Sequence, residues 1–262
     1  MAIWVNFEIE STNYLNRTFG AYASFDCQGG SDSTISDIEV RTKSGKNFYI
    51  EAKHCPAQCG QFVLLPNIGT QTFEYSRLNA TRVNQYSAAI MEHMNTYFDG
   101  YKEAGTAGKT IDMQNGPAIF SAWIIQAYKD KGAKFIITNN NIILPVEDFA
   151  RYFYVTAKYR IKRSGSNSVG KGRIRIVGDY LRANYPIDTI SASGDKLFIT
   201  SRRYLHDQRF VIDGTEYMIS QREHQYEIRR LSNTFNANVI FSIDLKPGVR
   251  GLSNSEFISF LR

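Results

Sequence analysis

The sequence predicts an α/β (α+β) fold: a mixed central β-sheet flanked by helices, with an added β-rich C-terminal region. Three observations carry this. Apolar residues recur at helical spacing in three stretches before residue 132. Short apolar runs bounded by polar turn residues lie between and after them. From about 179 to 230 only short strand-like pieces follow one another.

The elements follow in order. Trp4, Phe7, Ser11, Tyr14, Leu15 and Phe19 fall near helical spacing, and Gly20 supplies a stop. Ile35 to Val40 and Phe48 to Ile50 read as two strands. The polar stretch Thr42-Lys43-Ser44-Gly45-Lys46-Asn47 between them makes the pair a hairpin. Val83, Tyr86, Ile90, Met94, Tyr97 and Tyr101 give one long amphipathic helix with its stripe in the core. A further helix runs from about Pro117, a good first-turn residue, to Lys131 before Gly132. Phe135–Thr138 and Ile142–Leu144 form a hairpin through Asn139-Asn140-Asn141. Lys196–Thr200, Arg209–Ile212, Thr215–Ser220 and Gln225–Leu231 read as strands, with Asp213-Gly214 a hairpin turn.

Composition sets outer bounds. A chain of 262 residues, 43% hydrophobic, can bury a core as one large domain or two small ones. A net charge of +6 suits a polyanionic partner. The three cysteines, Cys27, Cys55 and Cys59, give no disulfide framework and suit a reducing, cytoplasmic setting. The first ten residues lack a basic, apolar export signal, and no uncharged apolar run approaches eighteen residues, so no membrane partner is expected. His54-Cys55 with Cys59 supplies half a zinc site at most, and no second ligand pair follows.

The chemistry is concentrated at the first hairpin. Glu51 follows Asp37 after thirteen residues and opens Glu51-Ala52-Lys53. Side chains alternate along a strand, so Glu51 and Lys53 share a face and Ala52 points away. With Asp37 on the neighbouring strand facing the same side, two carboxylates and an ammonium converge. Such a trio holds a hard divalent cation beside a phosphodiester; the alternative is a solvated hairpin with charged outer positions. Glu8, on the first helix, either approaches this site or is an exposed helix carboxylate.

A second concentration is basic. Between Arg151 and Arg175 there are eight Lys or Arg and no acid. Lys158, Arg160 and Lys162 alternate onto one strand face. They lead through Arg163 to a polar loop, Ser164-Gly165-Ser166-Asn167-Ser168, with Lys171 and Arg173 beyond. A basic strand face feeding a small-residue loop suits a duplex DNA groove; the alternative is a solvated edge strand. Arg202, Arg203, Arg209, Arg222, Arg229 and Arg230 are further cations for phosphates.

Several blocks in order resemble the type II restriction endonucleases of the PD-(D/E)xK nuclease superfamily. They are Tyr14-Leu15-Asn16, Ser31-Asp32-Ser33-Thr34-Ile35-Ser36-Asp37, Phe48-Tyr49-Ile50-Glu51-Ala52-Lys53, Gln58-Cys59-Gly60-Gln61-Phe62-Val63-Leu64, Lys134-Phe135-Ile136-Ile137-Thr138, Tyr159-Arg160-Ile161-Lys162 and Leu231 through Ile243. The match covers most of 4–166 and about 231–243. The Asp37-to-Glu51 gap is two residues longer than the resemblance leads one to expect, which lengthens the hairpin or enlarges its turn.

The resemblance implies a restriction-endonuclease-like core and magnesium-dependent cleavage of double-stranded DNA at a short palindrome, GCGC. It implies Asp37 and Glu51 as metal ligands and Lys53 as the residue that orients or deprotonates the attacking water. The backbone carbonyl of Ala52 is a candidate third ligand. Ser36 and Gln61 are further candidates for orienting water, ligands or substrate. DNA-reading candidates are Lys162, Arg163, Ser164 and Ser166, with Asn233, Asn236 and Asn238 beyond them. A catalytic domain over 1–150 is expected, with a DNA-recognition region over 151–178 plus 231–262 and a small DNA-binding subdomain over 179–230. A monomer paired in its function with a cognate DNA methyltransferase is expected. A structure-specific repair nuclease or resolvase would use the same trio, and a catalytically inactive DNA-binding regulator would not need it intact.

Overall fold

The computed structural model describes residues 3–28, 36–163, 166–231 and 235–262, and side chains for all of these except 3–5, 162, 163, 166 and 235. They form two compact units, Met1–Arg160 with Ala237–Arg262, and Ile161–Asn236. Residues 151–160 and 237–262, expected to join a separate recognition region, thus lie in the first unit.

The chain order is α1 (Ile3–Phe19), β1 (Ala23–Cys27), β2 (Ile38–Thr42), β3 (Asn47–Lys53), β4 (Ala57–Asn67), β5 (Thr72–Tyr75), α2 (Gln85–Thr96), α3 (Phe98–Lys102), β6 (Lys109–Thr110), α4 (Gly116–Asp130), β7 (Ala133–Thr138), β8 (Ile142–Pro145), α5 (Phe149–Tyr152) and β9 (Phe153–Arg163). The second unit holds β10 (Ser166–Ser168), α6 (Ile174–Asn184), β11 (Thr189–Ser193), β12 (Lys196–Thr200), β13 (Arg209–Ile212), β14 (Thr215–Arg222) and β15 (Gln225–Leu231). The chain returns to the first unit along β16 (Phe235–Leu245) and ends in α7 (Asn254–Leu261).

The first unit has two five-stranded sheets. One runs β1-β2-β3-β7-β8, and its single parallel pair, β3 with β7, makes it mixed. The other runs β5-β4-β16-β9-β6. Alternation explains the first sheet's core. Ile38, Val40, Phe48 and Ile50 point to one side and bury against Leu15 and Phe19 of α1 and Phe257 and Leu261 of α7. Asn16 ties α1 to β1, because its amide donates to Phe25 O at 2.6 Å and accepts from Phe25 N at 3.1 Å. This fixes where the N-terminal turns of α1 lie.

Helix α4 carries the second core. Trp123 packs on Phe62 of β4 and Phe241 of β16, with ring centroids 5.3 and 4.6 Å apart. Gly60 makes room for it. Its φ is +150°, and a Cβ there would stand 2.8 Å from Trp123 Cζ3. Gly60→Ala is expected to destabilise the fold by about 1–3 kcal/mol through overpacking and backbone strain. A urea midpoint equal to that of the unaltered chain would show that α4 yields freely.

Some expectations need correction. The first strand of the hairpin starts at Ile38, not Ile35, so Asp37 precedes the strand. The stripe from Val83 to Tyr101 is two helices, because Tyr97 leaves helical geometry at φ −115°, ψ 38°. Asn84 caps α2 through a reciprocal pair of bonds with Ser87, which starts the helix after Val83. Val83 and Tyr97 are exposed, while Ile90, Met94 and Tyr101 are buried. The expected loop 164–168 is a strand over Ser166–Ser168, paired with β15; Ser164 and Gly165 lie outside the described residues. The β-rich second unit also holds a helix that the strand-like pieces did not announce. Ile174, Val177 and Leu181 place α6 against its sheet, which runs β11-β12-β15-β14-β13.

Candidate active site

The site forms where β2 ends its pairing with β3, just before Ile38 and just after Ile50. The ladder pairs Val40 with Phe48 and Ile38 with Ile50. One step further sets Asp37 across from Glu51, on the same face. The Asp37 carbonyl accepts from Gln28 N at 2.9 Å, so its backbone is still held by the edge of the sheet. Asp37 Oδ2 accepts from Ala52 N and from Lys53 Nζ, both at 2.8 Å. Lys53 Nζ also reaches Glu51 Oε2 at 2.9 Å. Ala52 turns the other way, into the core. The structure therefore brings Asp37, Glu51 and Lys53 together on one side of the sheet.

Burial and charge compete here. Burial pushes the Asp37 carboxyl up, partly offset by the Lys53 charge, and its value ends above the ordinary one. Burial pushes Glu51 the same way, but the charges of Lys53 and Lys131 outweigh it and hold Glu51 below its ordinary range. Burial alone would lower Lys53; the Glu51 and Asp37 charges instead hold it well above its ordinary value, as an ammonium. Glu8 of α1 is 7% exposed, not an exposed helix carboxylate. Burial, then the Asp37 charge, push it up to about 7. Glu8 lines a cleft of about 580 Å³ with Ala52, Lys53, His54, Pro56, Ala57 and Gln58.

The last residues of the catalytic strand are clamped from β7 onward. Thr138 Oγ1 donates to Lys53 O at 2.7 Å. Asn139 accepts from Cys55 N at 2.7 Å and donates to Cys55 O at 2.8 Å. These two residues, and Lys131 near Glu51, were not singled out from the sequence. Their role depends on the parallel β3–β7 pairing, whose only trace is two apolar runs some eighty residues apart.

The donor set fits a hard cation. Glu51 Oε1 and Ser36 Oγ are buried and make no well-formed hydrogen bond among the described residues; the Ser36 hydroxyl lies close enough to help hold the Glu51 carboxyl down, and nothing stronger completes that oxygen. A buried carboxylate oxygen left unpaired is costly unless a cation or water completes it. No group of three His, Cys, Asp or Glu side chains is placed to hold a metal ion by itself among the described residues. Two carboxylates and a backbone carbonyl would leave an octahedral ion about three positions for water, as magnesium sites do. Cys55 and Cys59 are buried, and burial raises both thiols.

The other candidates are placed as follows. Gln61 is exposed on β4, and its Oε1 accepts from Gln58 and Asn238, each at 3.2 Å. Lys158 is exposed and Arg160 half-buried on β9, opposite the buried Tyr159. Lys162, Arg163 and Ser166 lie on strands, but their side chains, like Ser164 and Asn233, are outside the described residues. Lys171 and Asn236 are exposed, and Asn238 is buried. Arg173 is spent internally, on Asp213 Oδ2 at 3.0 Å, Ile212 O at 3.2 Å and Tyr217 Oη at 3.3 Å. No helix among the described residues is long and apolar enough to cross a membrane.

No protein-family model matches the chain, and no curated protein does. Among solved structures, HhaI endonuclease in complex with DNA matches at 38% identity and a TM-score of 0.75, over 99% of this chain and 98% of that one. Identity at that level over the whole length, with a fold to match, makes the protein a type II restriction endonuclease, a site-specific deoxyribonuclease. The chain belongs to the HhaI endonuclease family.

Proposed function

We propose that this endonuclease hydrolyses phosphodiesters of duplex DNA with magnesium, at the palindrome GCGC. The observation that carries the reading is Lys53 Nζ bonded to both Asp37 and Glu51 at a strand end, beside a buried Glu51 oxygen that makes no well-formed hydrogen bond among the described residues. The likeness to HhaI endonuclease bound to DNA supports the substrate class.

Asp37, Glu51 and the Ala52 carbonyl would hold the ion. An extended residue turns its N–H and C=O to the same edge, and the Ala52 N–H already meets Asp37 there. When bound, magnesium offsets charge at phosphorus and lowers the barrier to deprotonating water. Lys53 donates from its ammonium, so it orients the attacking water and balances negative charge that grows at phosphorus. Glu8 lines the cleft together with Lys53 and adds an acceptor for water. Ser36, buried beside the ligands, steadies them. Lys158, Arg160 and Lys171 would supply phosphate contacts, and Lys162, Arg163, Ser164 and Ser166 would approach base edges. Arg173, committed to Asp213, is left out of that set.

Digestion of plasmid DNA in magnesium is expected to give discrete fragments ending within GCGC, and none from plasmid methylated at that sequence. Fragments ending at another fixed sequence would replace GCGC, and a smear or cuts at branched structures would favour a structure-specific nuclease.

A further inference from the structure

We propose that Leu78 enters a groove of bound duplex DNA and wedges between two base pairs, while Arg77 and Arg82 beside it hold flanking phosphates. The inference rests on the reading of the chain as a nuclease of duplex DNA.

A single exposed leucine is ordinary on a protein surface. Leu78 stands apart by degree and by mounting. It is 94% exposed, and no other large apolar side chain among the described residues exceeds 69%. Its backbone is nonetheless tied down. Ser76 N extends the β4–β5 ladder by one bond, donating to Val63 O at 3.1 Å. Asn79 N donates to Ser76 O at 3.2 Å, which closes a tight turn with Arg77 and Leu78 at its corners. Ser76 Oγ accepts from Leu78 N at 3.2 Å. The Asn79 carboxamide locks the turn to the sheet, accepting from Val63 N at 2.7 Å and donating to Val63 O at 3.0 Å. Further on, Tyr75 Oη bonds the hydroxyl of Thr81 at 2.8 Å and its carbonyl at 3.2 Å, and Asn84 caps α2. Held at both ends, the segment keeps an apolar side chain in water. The fold gains nothing from that; a partner that buries the side chain does.

The surroundings specify the partner. Arg77 and Arg82 are exposed, with no ion-pair partner among the described residues. From Tyr75 to Asn84 there is no acid. An apolar tip between two cations suits a polyanion with an apolar interior, and stacked bases behind phosphates are such a polymer. Leucine is among the side chains that part base steps in this way. The turn also stands where DNA is expected, because it continues β5, the edge strand of its sheet. Phe62 packs on α4 and Tyr159 meets Tyr101 of α3, so Gln61, Lys158 and Arg160 share the outer face of that sheet. Gln58, in the catalytic cleft, and Val63, which holds the turn, are five residues apart on β4. That is about 17 Å, or about five base-pair steps. A turn already fixed loses little further freedom on insertion.

Fluorescence of labelled duplexes tests this, in calcium so that DNA stays intact. The cut is mapped by plasmid end-sequencing. Each step out to about six on either side then carries in turn a base analogue that brightens when unstacked, 2-aminopurine or pyrrolocytosine. The unaltered chain is expected to brighten one or two neighbouring steps severalfold. Leu78→Ala should lose that rise while binding the duplex within about tenfold of the unaltered chain. Leu78→Met, apolar and of similar length, should restore it. A mismatch at the bright step, unstacked beforehand, should tighten binding by the unaltered chain more than by Leu78→Ala. Arg77→Ala should reduce the salt slope by about 1. Matching melting curves check that substitutions at so exposed a turn leave the fold intact. A rise that survives in Leu78→Ala overturns the wedge, and so does a bound duplex with no bright step. A salt slope unchanged by Arg77→Ala overturns the phosphate contact. An unaltered chain with no affinity for duplex DNA would instead remove the reading on which this one rests.

Discussion

Lys53→Ala is expected to slow DNA cleavage by about 10²–10⁴-fold while leaving duplex binding within a few-fold. The side chain is the one cation bonded to both Asp37 and Glu51 among the described residues, at 2.8 and 2.9 Å. Removing it leaves two carboxylates facing each other, with Glu51 4% exposed at its side chain. Like charges so placed repel, and the metal-free variant should melt at a lower temperature. Added magnesium should recover part of that loss, because a cation between the carboxylates restores the charge balance. Plasmid cleavage in magnesium, gel shifts in calcium and melting with and without metal give the three readouts. Cleavage near the unaltered rate would sink the assignment of Lys53, whatever the binding shows.

Trp123→Ala is expected to destabilise the protein by about 3–5 kcal/mol. Trp123 is 2% exposed between Phe62 and Phe241, so its loss opens a large void that two aromatic rings cannot fill. The indole N–H, however, is buried without a hydrogen-bond partner among the described residues. Trp123→Phe removes that orphan donor as it removes volume, so it should cost less than about 1.5 kcal/mol. Urea unfolding of the two variants separates packing from polarity. If Trp123→Phe costs as much as Trp123→Ala, the indole nitrogen has a partner in solution.

What the sequence disclosed followed from short-range periodicity. Alternation along Glu51-Ala52-Lys53 gave the shared face, and the polar run from Thr42 to Asn47 gave the hairpin. Pro117 and Gly132 bracketed α4, and three asparagines marked the β7–β8 turn. What stayed hidden was long-range. Glu8 owes its burial to α1 crossing the sheet, which Asn16 secures through Phe25 and which no local pattern announces. Arg173 looked available in an acid-free stretch because its partner, Asp213, lies forty residues on. The spacing of Val83 to Tyr101 is helical throughout, but a helix needs a cap as well as a stripe, and Asn84 supplies it one residue past Val83. The helix α6 did leave a trace, with Ile174, Val177 and Leu181 three and four apart, diluted by Gly172 and Gly178.

The asparagine at 139 has a wider consequence. Strand ends ordinarily breathe, since their outermost peptides have only water to bond. Here one carboxamide mimics the absent next rung, meeting both the N–H and the C=O of Cys55. The amide proton of Cys55 should then exchange with solvent as slowly as those in mid-sheet. The enzyme would meet its substrate with its lysine already stationary, spared the entropy of stilling it at each turnover.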